Sequence, residues 1–512
     1  MNLVRFFFLG LLLTMITQLT AELFPPVQCG NDPQTVCRSL CFEELAYCPP
    51  PDVPRSFLWT RPVYRNIASQ DAGLWHDALN NYSTPQCFAA QAIGFYQKSI
   101  ATRGINTFFL FDDKQNLSVK GDNVIDGNSN LRDVRAEWLQ LQSNFIGSCR
   151  TKPVQSQIGF WLETKLDLSA LFCHDFFERM WIGLAVPFQI VKNNVQLRQT
   201  VASTPDPNFP NGLIGALNNP SFVYAKFGPA QNASGASELN FRLGTKLLDR
   251  DGFQIGFYSL FLLPLHTHAH PEFVFSPIMG NNRHFGAGSG LMFQLPINYP
   301  CDTLFSFVFE AESIYFFRND QRRTFDLKKK PWSRYMLYNK VNGLSNIPGA
   351  HVLTRKVQIK PYNMIEAVGA LRIDINSFQG EFGYHVWARG RETMKFIKPF
   401  PEKYGIAGTG VLIPGTNVQA TASRSTIAHQ SSNDINVLTG DPIFVTIKEN
   451  DVELHTGASP AQISHMIYAT LGWAAQWAEG DWMLNLGVYG EIPQYPTSMA
   501  TWGLWGKLGL YL

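Results

Sequence analysis

The sequence predicts an all-β chain: an antiparallel, up-and-down transmembrane β-barrel of 12 strands, with 14 as the upper bound. Three observations predict it. Apolar residues recur at every second position over runs of roughly 9–12 residues, the length a tilted strand needs to cross hydrocarbon. No later apolar run approaches the roughly 18 residues of a spanning helix; the longest, FYSLFLLPL at 257–265, is interrupted by Pro264. Tight links also alternate strictly with long ones from residue 236 onward.

The chain begins MNLVRFFFLGLLLTMITQLTAE, with Arg5 ahead of an uncharged run from Phe6 to Ala21. That is the charged head and apolar body of an export signal, so residues 1–21 are expected to be removed. Residues 22–86 follow as a Cys- and Pro-rich segment, CGNDPQTVCRSLCFEELAYC and then PPPDVPRSFLWTRP. Export permits disulfides, and Cys29, Cys37, Cys41 and Cys48 are the candidates. Their spacing lacks the C-x2-C knuckle of a zinc site. The segment reads as a stapled piece or plug outside the sheet, and residues 87–512 as the barrel.

The first strand is expected near 87–98. Next come 154–165, 180–190, 237–247 and 253–263, the last apolar on both sides. The runs 284–294, 303–313, 364–375 and 378–389 follow, then the hairpin YATLGWAAQWAEGDWMLNLGVYG at 468–490. TWGLWGKLGLYL closes the chain. Segments 333–340 and 352–360 are the two optional additions. Tight turns fall at LDRDG, at Asn376-Ser377 and at AEGD. The Asn376-Ser377 turn pairs Ile375 with Phe378 and sets Arg372 opposite Glu381.

Alternation alone does not say which face is inside. A soluble sheet buries its large apolar face; a membrane barrel turns it to lipid. The small-residue face carries Arg242, Arg372, Glu381 and Arg389 in mid-strand, which a dry core would penalise heavily and a wet lumen would not. The Trp/Leu face is almost free of charge. The Trp/Leu side is therefore assigned to lipid and the Gly/charge side to the lumen. Charged residues make up 16% of the chain and the net charge is +2, so nothing marks a nucleic-acid partner.

FGAGSGLMFQLPI at 285–297, RIDINSFQGEFGYHVWARG at 372–390 and the alternating terminal strand, together with the export signal, resemble bacterial outer-membrane β-barrel proteins of the porin-like kind. The resemblance covers about 87–512. It implies an outer-membrane location, short turns on the periplasmic side, long loops outside, and insertion by barrel-assembly machinery. Here the last residue is Leu512, where that class usually ends in an aromatic. The resemblance also implies that a long link such as 390–463 can fold into the lumen, though a surface loop fits that composition equally.

Pore-lining candidates are Arg242, Lys246, Glu366, Arg372, Glu381, His385 and Arg389. Mixed charges close together can set a transverse field across a constriction, or can pair and fill a narrow barrel. His266, His268 and His270 fall on one side of LHTHAHP and are the weak metal candidates, against the plainer reading of a polar loop. The basic stretch RNDQRRTFDLKKKPWSR at 318–334 is a candidate contact for lipopolysaccharide phosphates or a solvated loop. SPAQISHM at 459–466 reads as a capped helical turn. His429, Ser431 and Asn433 offer hydrolase-type residues, but in a low-complexity loop. No GxSxG, P-loop, GxGxxG or HExxH occurs, so no enzyme and no cofactor are expected. Three functions remain open: passive diffusion of small solutes, a closed or plugged barrel with a structural or adhesive role, and transport of apolar solutes past a plug. Oligomeric state is not legible.

Overall fold

In the computed structural model the described residues are 54–72, 88–110, 116–121, 132–168, 172, 179–203, 208–250, 253–298, 303–340, 345–361, 363–406, 434–435, 442–443, 446–477 and 480–511. Cys29, Cys37, Cys41 and Cys48 lie outside them, as do His429, Ser431 and Asn433. The one cysteine described, Cys149, is free and buried, and burial pushes its thiol up to about 12.

Twelve strands close a barrel in chain order. They are β1 (Phe88–Ile100), β2 (Val154–Asp167), β3 (Met180–Asn194), β4 (Glu238–Arg250), β5 (Phe253–Pro264) and β6 (Gly286–Asn298). The second half is β7 (Thr303–Phe316), β8 (Met364–Ile375), β9 (Phe378–Arg389), β10 (Gln462–Trp477), β11 (Gly480–Pro493) and β12 (Ala500–Tyr511). Each pairs antiparallel with its neighbours in sequence, and β1 pairs with β12 from Ala89↔Tyr511 to Ile100↔Ala500. A thirteenth segment, Gln231–Ala236, continues β4 beside the upper half of β3. The register slips there by one residue, next to Pro187, which has no N–H to offer the ladder.

Closure leaves no edge, which lipid requires of any sheet. Alternation then sorts the side chains. Leu471 is 76% exposed on the outer wall and Leu486 59%, with Ile158, Phe160, Phe382 and Leu504 also exposed outward. On the inner wall lie Glu163, Glu366, Arg372, His385 and Lys507, all buried. The inner face is not only small. Indole and phenol rings lie flat against the glycines of adjacent strands: a Cβ on Gly244 would meet the Trp181 ring at 2.1 Å, and one on Gly487 the Trp505 ring at 2.2 Å. Those glycines are the beds of inward aromatics.

Residues 337–340 and 354–360 are strands, but they lie outside the barrel, so 12 is the barrel count and 14 is not. Both join small sheets at the long-link end: 319–324 with 354–360 and 393–396, and 337–340 with 347–348 and 404–406. The long links pack into a cap with its own apolar core, including Phe109, Trp138, Leu213, Phe275, Phe325, Trp332, Leu353 and Ile447. The basic stretch 318–334 is therefore only partly solvated: it forms strands at 319–324 and 326–327, with Arg318, Arg322, Lys328 and Lys329 exposed. Arg323 and Arg334 are fully buried, and Arg334 pairs with Asp326 at 2.6 Å. SPAQISHM forms no helical turn; its second half is the start of β10, with Gln462 and Ser464 inward.

Just beyond β9, Glu392 accepts from Arg389 at 3.1 Å and from the Ser459 amide at 2.9 Å, with Arg323 at 3.6 Å. Burial opposes its charge, but the Arg323 and Arg389 guanidiniums outweigh burial and hold the carboxyl below its usual range.

Two predictions follow from the sorting and from the cap. Leu486→Arg, midway along β11 on the outer face, is expected to cost about 2–4 kcal/mol in urea unfolding from vesicles; a change below about 0.5 kcal/mol contradicts an outward Leu486. Because folding depresses the Glu392 pKa, its contribution is present above the unfolded value of about 4.3 and is lost as pH falls through the folded value. Hydrogen exchange around 392–396 should therefore accelerate below about pH 4, and Glu392→Gln should abolish that acid step. An acid step equal in both proteins contradicts the assignment.

Candidate functional site

The candidate site is the barrel interior, and a piece of the chain itself occupies it. Residues 54–72 run along the barrel axis from the long-link end toward the short-turn end. A 3-10 turn at Val63–Arg65 and a helical turn at Ile67–Asp71 follow Pro62. Pro62 caps the first of these turns, its carbonyl accepting from the Arg65 amide at 3.1 Å. At the top, Ser56 N–H donates to the Thr456 carbonyl at 2.8 Å, and Arg334 reaches the Pro54 carbonyl at 2.8 Å. Lower down, Lys507 of β12 donates to the carbonyls of Gln70 and of Ala72, the latter at 2.6 Å.

Between these ends the contacts reach strands all round the barrel. Arg61 pairs with Glu366 of β8 at 3.0 Å and lies 3.8 Å from Glu491 of β11. Its guanidinium sits over the Trp387 ring, 5.6 Å from the centroid. His385 of β9 approaches the same Glu366 carboxylate at 3.3 Å. Arg65 pairs with Glu312 of β7 and lies 3.9 Å from Glu238 of β4. The Gln157 side chain on β2 donates to the Arg61 carbonyl at 3.2 Å and accepts from the Val63 amide at 3.2 Å. Gln462 donates to the Trp59 carbonyl at 3.0 Å. Trp59 packs edge-on against Trp387, and Tyr64 lies against Trp161.

A second tier lies beneath. Arg242 of β4 stands 3.7 Å from Glu163 and 3.6 Å from Glu312, and donates to the Gln70 side chain at 2.7 Å. The Tyr258 hydroxyl lies within hydrogen-bond distance of both Glu310, at 2.5 Å, and Glu312, at 3.0 Å, with one proton to share between them. Arg372 pairs with Glu381 at 3.1 Å in the expected cross-strand register, and Tyr468 donates to Glu381 at 2.7 Å. Opposite charges are thus matched at short range inside a closed wall. Two of the segment's arginines, Arg61 and Arg65, meet acidic side chains of β4, β7, β8 and β11, while Arg55 donates to the His455 and Ala458 carbonyls.

The seven pore-lining candidates separate into groups. Glu366 and His385 hold Arg61, while Arg242 touches Gln70. Arg372 and Glu381 pair with each other, and Arg389 turns to Glu392 and the Trp59 ring at the top. Lys246, half-buried near the short-turn end, makes none of these contacts; its backbone N–H donates to the Arg179 carbonyl. Sequence reasoning missed Arg61, Arg65, Glu238, Glu310, Glu312, Glu491 and Lys507. Two signals were available. Arg61 and Arg65 recur at a spacing of four in RPVYR, and Glu310 and Glu312 alternate against the Phe side of FVFEAES. The described part of 390–463 belongs to the cap; the lumen holds 54–72 instead. His266, His268 and His270 form no metal cluster, and none occurs among the described residues.

No family description matches this sequence, and a search of curated proteins finds no relative. Among solved structures, the chain is similar to an outer-membrane channel from Pseudomonas putida F1. The identity is 8% and the TM-score 0.35, over 84% of this chain and 97% of that one. It is also similar to the translocator domain of the autotransporter NalP from Neisseria meningitidis, at 8% identity and TM-score 0.27, over 88% and 95% of the two chains. A Pseudomonas aeruginosa FadL homologue gives 8% identity and TM-score 0.27, over 85% and 93%. Similarity at this level does not extend to site residues or solutes.

Removing one partner of a buried ion pair strands the other. Arg65→Met should therefore destabilise the folded barrel by about 3–5 kcal/mol, read as a lower temperature for conversion of the compact gel band. Arg65→Met with Glu312→Gln should recover part of that loss. An unchanged conversion temperature for Arg65→Met contradicts the placement of Arg65.

Proposed function

We propose that this protein is an outer-membrane transporter for small apolar or aromatic solutes, closed at rest by its own residues 54–72, with neither cofactor nor catalytic step. The carrying observation is the axial segment held by Arg61–Glu366 and Arg65–Glu312. A permanently open pore for passive diffusion needs a free axis, and occupancy of that axis favours a gated conduit. Trp59, Val63, Tyr64 and Ile67 pack on apolar wall residues, and the polar attachments beside them are ion pairs and single hydrogen bonds that water can replace as the segment withdraws. The wall behind it is rich in rings: Trp161, Trp181, Tyr258, Trp387, Tyr468 and Trp505. Such a surface suits apolar and aromatic solutes better than free ions.

The outer-membrane setting is supported by the signal-like sequence of residues 1–21, the closed barrel with its apolar outer wall, and the parity of the links. In that setting the short turns face the periplasm and the cap faces outward. The cored cap supports a second reading, a sealed barrel whose outer surface carries a structural or adhesive role.

Vesicles holding the refolded protein separate these. Full-length protein in planar bilayers should show no stepwise conductance, and a variant lacking 54–72 should show it. Asn66 and Met466 touch, with the Asn66 Nδ2 3.7 Å from the Met466 sulfur. Cysteines at both positions should, when oxidised, block entry of an aromatic hydrocarbon into vesicles, and reduction should restore it. Conductance in the full-length protein favours passive diffusion. Silence of the deletion variant, with no hydrocarbon entry in any form, favours the sealed barrel and overturns transport.

A further inference from the structure

Five cations crowd the outer wall where β1, β2 and β3 leave the apolar band, and no acid accompanies them. Lys98 of β1 is registered with Ser156 of β2, which is registered with Lys192 of β3. All three project outward, and both lysines are exposed. Neighbouring strands are about 4.8 Å apart, so the two lysines stand roughly 10 Å apart on one level. Just above, Arg150 and Lys152 continue the outward face of β2, and Arg198 follows β3.

Arg150 and Arg198 sit directly opposite each other in a small antiparallel pair. Like charges placed opposite one another destabilise a sheet unless something between them is negative. No carboxylate among the described residues pairs with either of them. Segments 88–106, 146–162 and 181–203 contain no Asp or Glu, and none of the five cations forms an ion pair among the described residues. Buried arginines behave differently: Arg65 in the lumen and Arg334 in the cap are each matched with a carboxylate.

The surface below the patch is equally specific. Ile158 is 53% exposed and Ile190 48%, and Phe160 stacks on Phe188 with ring centroids 5.1 Å apart. Tyr96 and Trp502 contact each other beside Lys98, at the depth where amphipathic rings settle. The wall therefore presents, from the membrane outward, an aliphatic and aromatic slab, a ring belt, a lysine row and an arginine pair. A phosphorylated glycolipid has the complementary order, with acyl chains below and more than one phosphate on its sugars above.

We propose that this face binds the phosphates of lipopolysaccharide in the outer leaflet, with Lys98 and Lys192 at the inner phosphate level and Arg150, Lys152 and Arg198 above. The inference rests on the outer-membrane orientation proposed above, which puts the long-link end in that leaflet. It moves the glycolipid contact away from 318–334, whose arginines 323 and 334 are buried. Lysines here act as point charges, and guanidiniums can grip a phosphate with two donors.

The test uses refolded full-length protein in detergent, titrated with intact lipopolysaccharide, with the same glycolipid stripped of phosphate, and with phosphatidylglycerol. Binding is read by gel mobility. Lys98→Gln with Lys192→Gln should weaken binding of the intact glycolipid roughly thirtyfold, on the basis of about fivefold for each cation at a membrane surface. The triple variant R150Q/K152Q/R198Q should weaken it at least as much. The exposed pair Lys328 and Lys329, changed to Gln, removes the same charge from the cap and should have no effect. Lys192→Glu is a single change that serves if a multiple variant fails to fold, as judged by compact gel migration. Equal binding by wild-type and patch variants overturns the proposal. So does equal loss in the Lys328/Lys329 control, or equal wild-type affinity for the stripped glycolipid or for phosphatidylglycerol. Conductance and hydrocarbon entry do not depend on these residues, so failure of transport leaves this result readable.

Discussion

The constraint on which the structure depends is that lipid offers no partner for a backbone N–H or C=O. A sheet meets it only by closing, and here closure is the pairing of β1 with β12 along nearly their whole lengths. Once the cylinder is closed, the two-residue alternation of every strand has a fixed meaning: one set of side chains faces acyl chains, the other faces the interior. The interior of a 12-stranded barrel is too wide for its own side chains to meet everywhere and narrow enough for one further strand of chain to fill. Residues 54–72 take that place, and their arginines enter a wall already rich in carboxylates.

Electrostatics in the lumen follows from that closure. A buried carboxylate such as Glu312 is tolerable because Arg65, Arg242 and Tyr258 converge on it. Each partner belongs to a different element, so the cluster ties the axial segment, β4, β5 and β7 into one unit. Such matched charges contribute less to net stability than an apolar core of equal size, but they specify register. They can also exchange partners with water, which an interlocked apolar core does not do. That property makes a polar attachment of 54–72 compatible with the withdrawal that the proposed transport calls for. The cap is the opposite case. Its apolar core and the Arg334–Asp326 pair make it a fixed outer element.

Much of the fold was legible because lipid imposes a strict alternation on the strands. All 12 expected runs are barrel strands, and the β8–β9 hairpin has the expected Arg372–Glu381 pairing. The legible part ends where alternation ceases to carry information. Segments 337–340 and 354–360 look like barrel strands because any half-buried strand does; only tertiary packing places them in the cap. SPAQISHM looks like a capped turn because Ser459 and Pro460 mimic one, masking the alternation of Gln462 and Ser464 with Ile463 and His465. Half of the lumen chemistry was visible as charges on the small-residue faces. Arg61 and Arg65 show only their spacing of four, which marks one face of a turn but not which cavity a single short axial segment enters. The glycines were read as making the inner face small, whereas they are flat seats for Trp181 and Trp505.

The central claim is the division of each strand into a face that touches lipid and a face that surrounds residues 54–72. Fluorescence quenching by brominated acyl chains tests it most directly, using refolded variants that keep a single tryptophan. Trp473 stands 41% exposed on the outer wall, and Trp505 is 2% exposed on the inner wall. The account predicts strong quenching of Trp473 and almost none of Trp505. Equal quenching of the two, or quenching of Trp505 alone, would contradict it.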